Sequence, residues 1–468
     1  MQNLIPMVLL RVALIVLIFE GGGAAFDSAL EAQTTLNQAV SNQSAPPQTA
    51  APVTFTLKDA IARAQANSPE YRAAVTNAGV AHEDKVIARS TLLPNVSYHQ
   101  QYLYTQPAQA GEHLNQATTG GTPLFIANNA VHEYIAQGIA HQDLSAASII
   151  DYTRFSALEA VAKARAEIAA RGLVLTVVDR FYTFAVAQRR LATTQSARDE
   201  AQRFLDISTK LERGGEVAHS DVIKAQLQAN DRAHDLREAT LVLTRARLDL
   251  SVLLFKDFNQ NFTIADDLST PQPLAPREEI VALSQKNNPD LAAAFQAFHA
   301  AAIEVKSARS DYLPSLSFDY NYGIDATHFA VKTDGIRNLG YSASAQLNLP
   351  VWNWGATHAR VKQALLQRDQ AKLELTAAQK KLLADLQSKY DEAETATQQL
   401  ATLRQSAQLA ADSLRLTTLR YQAGESTVLE VVDAQNTLTL ARNNLDDGEL
   451  RYRVALADLQ TLTGAMNP

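Results

Sequence analysis

The stretch Tyr421-Gln422-Ala423-Gly424-Glu425 decides the fold, because two long helical patterns meet there. Before it, residues recur at alternating spacings of three and four, the pattern of a helix packed lengthwise on another helix. They are Leu400, Leu403, Ala407, Ala410, Leu414, Thr417 and Tyr421. Gly424 lies where a left-handed cap would end this helix. A second helix, expected from about Ser426-Thr427, completes a hairpin with its own seam at Val428, Val431, Gln435, Leu438 and Leu445.

The hairpin has an earlier counterpart, which indicates a tandem repeat. Arg213-Gly214-Gly215-Glu216 precedes a second helical start near Ser220, which is expected to cap it. Aligning Gly215 with Gly424 also aligns Val222 with Val431, Ala225 with Ala434 and Gln226 with Gln435. Prolines upstream recur at one common offset, as the pairs Pro69 with Pro289 and Pro94 with Pro314.

The repeat divides the chain into five predicted segments. They are a signal peptide at 1–25, a flexible N-terminal segment at 26–53, a first repeat at 54–256, a connector at 257–276 and a second repeat at 277–468. The signal peptide is predicted because Arg11 precedes an apolar run, Val12 to Phe19, that small residues follow. A buried N-terminal helix is the alternative.

A two-residue period predicts two strands in each repeat. The first repeat has one strand from Val96 to Tyr104 and a weaker one between about Val131 and Ala140, separated by a loop at roughly Gln106 to Thr122. The second repeat has strands at Ser315 to Tyr322 and Tyr341 to Leu349. Very long helices follow each pair, from about Leu144 to Leu211 with a return to Leu254, and from Ala356 to Tyr421. The predicted class is mainly α with a small β part.

Tyrosines mark the strands as candidates for a membrane environment. Eight of the 14 lie in or beside them: Tyr98, Tyr102, Tyr104, Tyr134, Tyr312, Tyr320, Tyr322 and Tyr341. Aromatic residues at strand ends form the interfacial girdles of membrane barrels, although a small soluble sheet is the alternative. Four strands cannot close on themselves and an open edge in lipid is costly, so several chains would have to pool their strands.

Composition excludes several classes of protein. The chain has no cysteine, so disulfides, thiolate metal sites and a lipid-modified N-terminal cysteine are impossible. A net charge of −7 without a cluster of Lys and Arg argues against binding to nucleic acid. The ten histidines are scattered and form no catalytic or metal motif. We therefore expect no enzyme, no cofactor and no metal site.

The repeated plan resembles the TolC-like outer membrane efflux protein family, over about Thr54 to Gly464. The most specific stretches are Arg420 to Glu425, Leu429 to Gln435, and Leu349-Pro350-Val351-Trp352-Asn353-Trp354-Gly355, which is similar to the family's strand-to-helix exit. In the first repeat that exit is degenerate, with Ala140-His141-Gln142-Asp143 in its place.

The resemblance implies a homotrimer in the outer membrane of a double-membrane bacterium, with a large periplasmic portion. Each chain would give four strands to a 12-stranded barrel in outer membrane lipid, and its helices would form an α-barrel across the periplasm. The hairpins would close the periplasmic end, where an inner-membrane transporter and a periplasmic adaptor protein would dock.

The resemblance also assigns roles to residues of the hairpins. Tyr421 and Asp221 match residues that hold the periplasmic gate shut, beside the turns at Gly424 and Gly215. Glu430 and Asp433 match two acids that ring the narrow pore entrance. Ser426 departs from the pattern, because some members have an arginine there that links neighbouring subunits.

Simpler roles compete with these assignments. Glu430 fits a capping box with Thr427, Asp221 can stabilise a helix N-terminus through the helix dipole, and Asp433 can belong to a solvated face. For the whole protein, the hypothesis is a passive exit duct of a tripartite efflux system. The alternatives are an exit duct for type I protein secretion and a periplasmic coiled-coil scaffold that is not a channel.

Overall fold

The computed structural model describes residues 53–104, 132–270, 272–333 and 335–464. The predicted signal peptide, nearly all of the N-terminal segment and the predicted loop from Gln106 to Thr122 lie outside these ranges. Within them the chain is mainly α-helical with a small β part, which confirms the predicted class.

The elements follow the predicted order of short helices, strands and long helical hairpins, twice. The first set is β1 (Val53–Phe55), α1 (Leu57–Asn67), α2 (Pro69–Ser90), β2 (Asn95–Tyr104), β3 (His132–Leu144), α3 (Ala146–Gly214) and α4 (His219–Leu254). The second set is β4 (Phe262–Ile264), α5 (Arg277–Asn287), α6 (Pro289–Ser310), β5 (Ser315–Ala326), β6 (Lys332–Thr333), β7 (Ile336–Arg337), β8 (Leu339–Asn348), α7 (Ala356–Gln422) and α8 (Val428–Thr463).

Side-chain caps determine where the short helices begin. The Thr56 hydroxyl accepts from the Asp59 backbone at 3.3 Å and the Asp59 carboxylate accepts from the Thr56 backbone at 3.1 Å, which forms a capping box at the start of α1. Ser68 and Asn288 cap α2 and α6, and a proline takes the first position of each helix. The equivalent caps support a common design for the two halves.

Two helices are long enough to need a partner along their whole length. α3 has 69 residues and α7 has 67, so each is on the order of 100 Å long. The returning helices α4 and α8 pack along them. The predicted seam of α7 is buried at Leu400, Ala410, Leu414 and Tyr421. No helix in the described ranges has a stretch that is both long and apolar enough to cross a membrane.

Four strands form one antiparallel sheet in the order β2-β3-β5-β8. The two halves of the chain therefore join along β3 and β5, and β2 and β8 are the edges of the sheet. β3 continues past the predicted end at Ala140, because its pairing with β5 extends to Leu144 opposite Leu316. The short hairpin β6–β7 was not predicted, since strands of two residues carry no detectable period.

The two faces of the sheet differ in chemistry. Side chains alternate between faces along each strand, and the register places Tyr98, Gly138, Tyr322 and Tyr341 in one row on one face. We call it the aromatic face; it also includes Val96, Tyr102, Tyr134, Phe318, Tyr320 and Leu347. The opposite, polar face includes His99, Gln137, His141, Asp319, Asn321, Asp325 and Ser342.

The segment predicted as a connector contributes to the core. It contains β4, which pairs with β1, and Phe262 of β4 is buried against Phe55 and Phe255 at ring-centroid distances of 6.2 and 5.5 Å. Its aromatic and aliphatic side chains provide enough apolar surface to pack against α1, α3 and α4, so the segment does more than connect the two repeats.

A polar network joins this segment to both halves of the chain. The Arg189 guanidinium of α3 donates to Asp266 at 2.5 and 2.9 Å and to Glu449 of α8 at 2.8 Å. Arg404 of α7 donates to the second Glu449 oxygen at 3.1 Å. Glu449 is buried, so two guanidinium partners offset the cost of burying its charge. Burial raises the pKa of the nearby Asp446 carboxyl.

Gly323 and Gly340, which are opposite each other on β5 and β8, provide a matched test of the sheet. A Cβ at Gly323 would lie 2.1 Å from the Ala136 carbonyl oxygen of β3, whereas a Cβ at Gly340 would meet no described atom within 4 Å. We expect Gly323→Ala to force β3 and β5 apart and to cost about 1–3 kcal/mol of stability. Thermal unfolding followed by circular dichroism should show a lower Tm than for the Gly340→Ala control. Equal Tm values would contradict the register.

Candidate functional site

The second hairpin turns where the sequence predicted. α7 ends at Gln422 and Gly424 has φ 77°, a left-handed conformation that favours glycine. The Glu425 backbone N–H donates to the Arg420 carbonyl at 2.9 Å, which satisfies a carbonyl at the helix end. Thr427 caps α8, which begins one residue later. These contacts confirm the predicted hairpin.

The first hairpin has the same turn and a different helix start. Gly215 has φ 77°, and the Glu216 backbone N–H donates to the Leu211 carbonyl at 2.9 Å. The predicted cap at Ser220 is wrong, because α4 begins earlier, at His219, and Ala218 takes the cap position without a side-chain hydrogen bond. The His219 ring lies 2.6 Å from the Glu212 carboxylate and connects the two helices across the turn.

The four hairpin helices share one buried cluster, which we call the tip core. It consists of Ala201, Phe204, Leu205, Ala225, Ala229, Ala410, Leu414, Tyr421, Val428, Val431, Ala434 and Leu438. Small residues at several of these positions allow the helix backbones to approach closely. The two hairpins of a chain therefore pack against each other near their tips, and separating them would expose apolar surface to water.

Tyr421 of α7 contacts α3 through both its hydroxyl and its ring. Its side chain is buried at 3% exposure, and its hydroxyl lies 3.0 Å from the Ser208 hydroxyl, which is fully buried. Its ring packs on Phe204 at a centroid distance of 4.9 Å. A neutral hydrogen bond and one aromatic contact thus connect the two hairpins at this level.

The structure does not bring Asp221 to Tyr421. Asp221 lies half-buried in the first turn of α4, and its carboxylate is 3.4 Å from the Lys224 ammonium. A carboxylate in the first turn of a helix interacts favourably with the helix dipole. The position of Asp221 therefore fits the simpler of its two predicted roles, the stabilisation of a helix N-terminus. Within one chain, Ser208 rather than Asp221 is the hydrogen-bond partner of the tyrosine.

Glu430 does cap its helix, as one of the two hypotheses predicted. Its carboxylate accepts from the Thr427 backbone at 3.4 Å and from the Ser426 hydroxyl at 2.7 Å, while Thr427 accepts from the Glu430 backbone at 3.3 Å. Arg420 lies 3.9 Å away. The Ser426 hydroxyl and then the Thr427 backbone lower the pKa of Glu430, so its carboxylate is ionised at neutral pH.

Asp433 lies one helical turn after Glu430 and is exposed. Capping cannot explain it, because it is beyond the first turn of α8. The two acids therefore differ in environment: Glu430 is held by hydrogen bonds at the turn, and Asp433 projects from the helix into solvent. Both remain available to a passing cation, since neither is buried.

Sequence reasoning did not identify Ser208 and Phe204, which complete the Tyr421 contact. The signal available was weak: Phe204, Ser208 and Leu211 follow the spacing of four and three that marks a packed helix face. A serine at such a position indicates a buried hydroxyl that needs a partner, but the sequence gives no means of identifying it. Among the described residues, no group of three or more His, Asp or Glu side chains is placed to hold a metal ion.

Comparison with known proteins gives a consistent result. A sequence profile described as outer membrane efflux protein matches residues 280–465. The chain is 22% identical over 426 residues to the outer membrane protein TolC of Escherichia coli K12, covering 86% of this chain and 81% of that protein. It is 22% identical over 429 residues to the alkaline protease secretion protein AprF of Pseudomonas aeruginosa, covering 88% and 85%.

A solved structure supports the fold. The CmeC outer membrane channel of Campylobacter jejuni superimposes with a TM-score of 0.75 at 16% sequence identity, covering 90% of each chain. The similarity extends over both halves of the described chain.

The contact between Tyr421 and Ser208 can be tested by removing either hydroxyl. We expect Tyr421→Phe and Ser208→Ala each to weaken the packing of α3 on α7 by about 1 kcal/mol, the usual value of a hydrogen bond. Hydrogen–deuterium exchange at both tips should accelerate to a similar degree in each variant, and the double variant should add little. Tyr390→Phe, the same change elsewhere in α7, is the control. Full additivity of the two changes would contradict a direct bond.

Proposed function

Because the chain belongs to the TolC-like outer membrane efflux protein family, we propose that it is the outer membrane exit duct of a tripartite efflux system. It passively conducts small molecules, such as drugs and toxic compounds, from an inner-membrane pump and a periplasmic adaptor to the exterior. The family consists of outer membrane channel proteins, and the chain is not an enzyme. The observation that carries the proposal is the two-faced sheet joined to paired helical hairpins.

The sheet supports a membrane location shared between several chains. Its aromatic face suits lipid and its polar face suits a water-filled lumen, which is the alternation of a membrane barrel. Trp352 and Trp354, 75% and 89% exposed, follow β8 where the strands give way to helices, and tryptophan favours the membrane interface. Three chains would supply the 12 strands of the proposed barrel, and the long helices would extend into the periplasm.

The tips of the hairpins are the proposed gate. Opening would separate α7 from α3, which breaks the Tyr421–Ser208 hydrogen bond and exposes part of the tip core. The turns at Gly215 and Gly424 keep both hairpins sharp enough to converge. We keep Asp221 in the proposed gate because it lies at the tip of the first hairpin, where a neighbouring chain would contact it in a trimer.

Glu430 and Asp433 form the proposed acidic ring at the pore entrance. In a trimer three copies of each would surround the axis, and their summed field would attract cations and repel anions. Because hydrogen bonds lower the pKa of Glu430, its share of this field should persist in acid below the range in which an ordinary glutamate loses its charge. Glu430 can cap its helix and attract cations at the same time.

A type I protein-secretion duct is the second candidate, favoured by the similarity to a protease secretion protein. Both candidates use the same fold, so the partner proteins decide between them. Expressing the chain with an efflux pump and adaptor, or with a secretion transporter and its adaptor, would separate the two. A coiled-coil scaffold that is not a channel is disfavoured, because it does not account for the two-faced sheet.

Conductance of the detergent-purified protein in a planar lipid bilayer tests the proposal. We expect discrete, cation-selective steps, with a preference for cations that falls when Glu430→Gln and Asp433→Asn are combined. Glu394→Gln, which neutralises an exposed acid on α7 away from the turn, is the matched control. A protein that gives no steps would refute the duct. Steps whose cation preference is unchanged in the Glu430→Gln and Asp433→Asn protein would support the duct and contradict the placement of these acids at its entrance.

A further inference from the structure

The four long strands contain acids but no lysine or arginine. β2, β3, β5 and β8 contain Glu133, Asp143, Asp319 and Asp325, and the residues in them that can become cationic are histidines. His132 stacks with tyrosines on the aromatic face. His99 and His141 are on the polar face, where the register also places the four acids.

His141 lies between two of these acids. Its Nδ1 is 2.6 Å from an Asp319 oxygen on β5, and its Nε2 is 3.1 Å from an Asp143 oxygen on its own strand. The register confirms the first contact, since His141 and Asp319 are directly opposite. On the other side, β2 places the uncharged Asn95 opposite His141. The nearest histidine of that strand on the same face is His99, which pairs with Gln101.

This geometry favours the charged form of the ring. A neutral imidazole has one N–H donor and one acceptor nitrogen, whereas an imidazolium has two donors. Two ionised carboxylates are acceptors only, so both contacts are satisfied together when the ring is protonated. None of the three side chains is fully buried, so the site can exchange protons with water.

We infer that His141 sets a pH-dependent preference for cations in the strand-lined part of the channel. The inference rests on the proposed function, which makes the polar face the lumen wall. At low pH the imidazolium cancels part of the field of Asp143 and Asp319. When it loses its proton, each chain gains one net negative charge at this level, and the lumen attracts cations more strongly.

The entrance acids would otherwise dominate the measurement, so the test uses protein with Glu430→Gln and Asp433→Asn. The ratio of potassium to chloride permeability is taken from reversal potentials between pH 5.5 and 9.5. We expect the ratio to rise by about twofold or more across a single step. His141→Gln fixes a neutral side chain and should give a high ratio without the step. His141→Lys keeps a positive charge and should give a low ratio across most of the range.

His99→Gln is the matched control, because it removes a histidine of the same face that pairs with Gln101 and contacts no carboxylate of a described residue, and it should keep the step. A ratio independent of pH, or a step that survives in both His141 variants, would overturn the inference while leaving the duct in place. Absence of channels in every protein would overturn the proposed function and this inference with it. The two variants carry different charges, so a general loss of folding cannot produce opposite ratios.

Discussion

The unpaired edges of the sheet are the constraint on which the rest of the assembly depends. β2 and β8 each use one side of their backbone for pairing within the described chain, and the other side is open. In lipid, each unsatisfied backbone group costs several kcal/mol. Side chains cannot supply a whole row of missing bonds, so an edge strand placed in lipid has to pair with another strand, which the proposed trimer would provide. In the proposed barrel, the aromatic face can contact lipid and the polar face can line the lumen only after this pairing has closed the sheet.

Two polar contacts between the halves of the chain, which also join through β3 and β5 and through the tip core, differ in strength. Around Arg189, buried Glu449 is paired with two guanidinium groups, and removing one partner of such a pair commonly costs 3–5 kcal/mol. At the tips, Tyr421 and Ser208 share one neutral hydrogen bond worth about 1 kcal/mol. The polar contact at the tips is the weaker of the two, so the proposed gate movement would break it at a lower cost than the network near the connector.

Local signals predicted the elements well. The period of three and four at Leu414 and Tyr421 and the glycine turn at Gly424 both depend on neighbours in sequence, and the structure confirms them. Contacts between distant segments were not predictable in the same way. The hydrogen-bond partner of Tyr421 is Ser208, which is more than 200 residues away in the sequence. The short strand β4 likewise depends on pairing with β1, a distant segment of the chain.

We propose that this chain completes its sheet with copies of itself. Native mass spectrometry of the detergent-extracted protein measures this directly, because it counts chains without assuming a pore. We expect a trimer that persists until the detergent micelle is removed and the chains unfold. A stable monomer, with β2 and β8 resistant to hydrogen exchange in the absence of any partner chain, would contradict it.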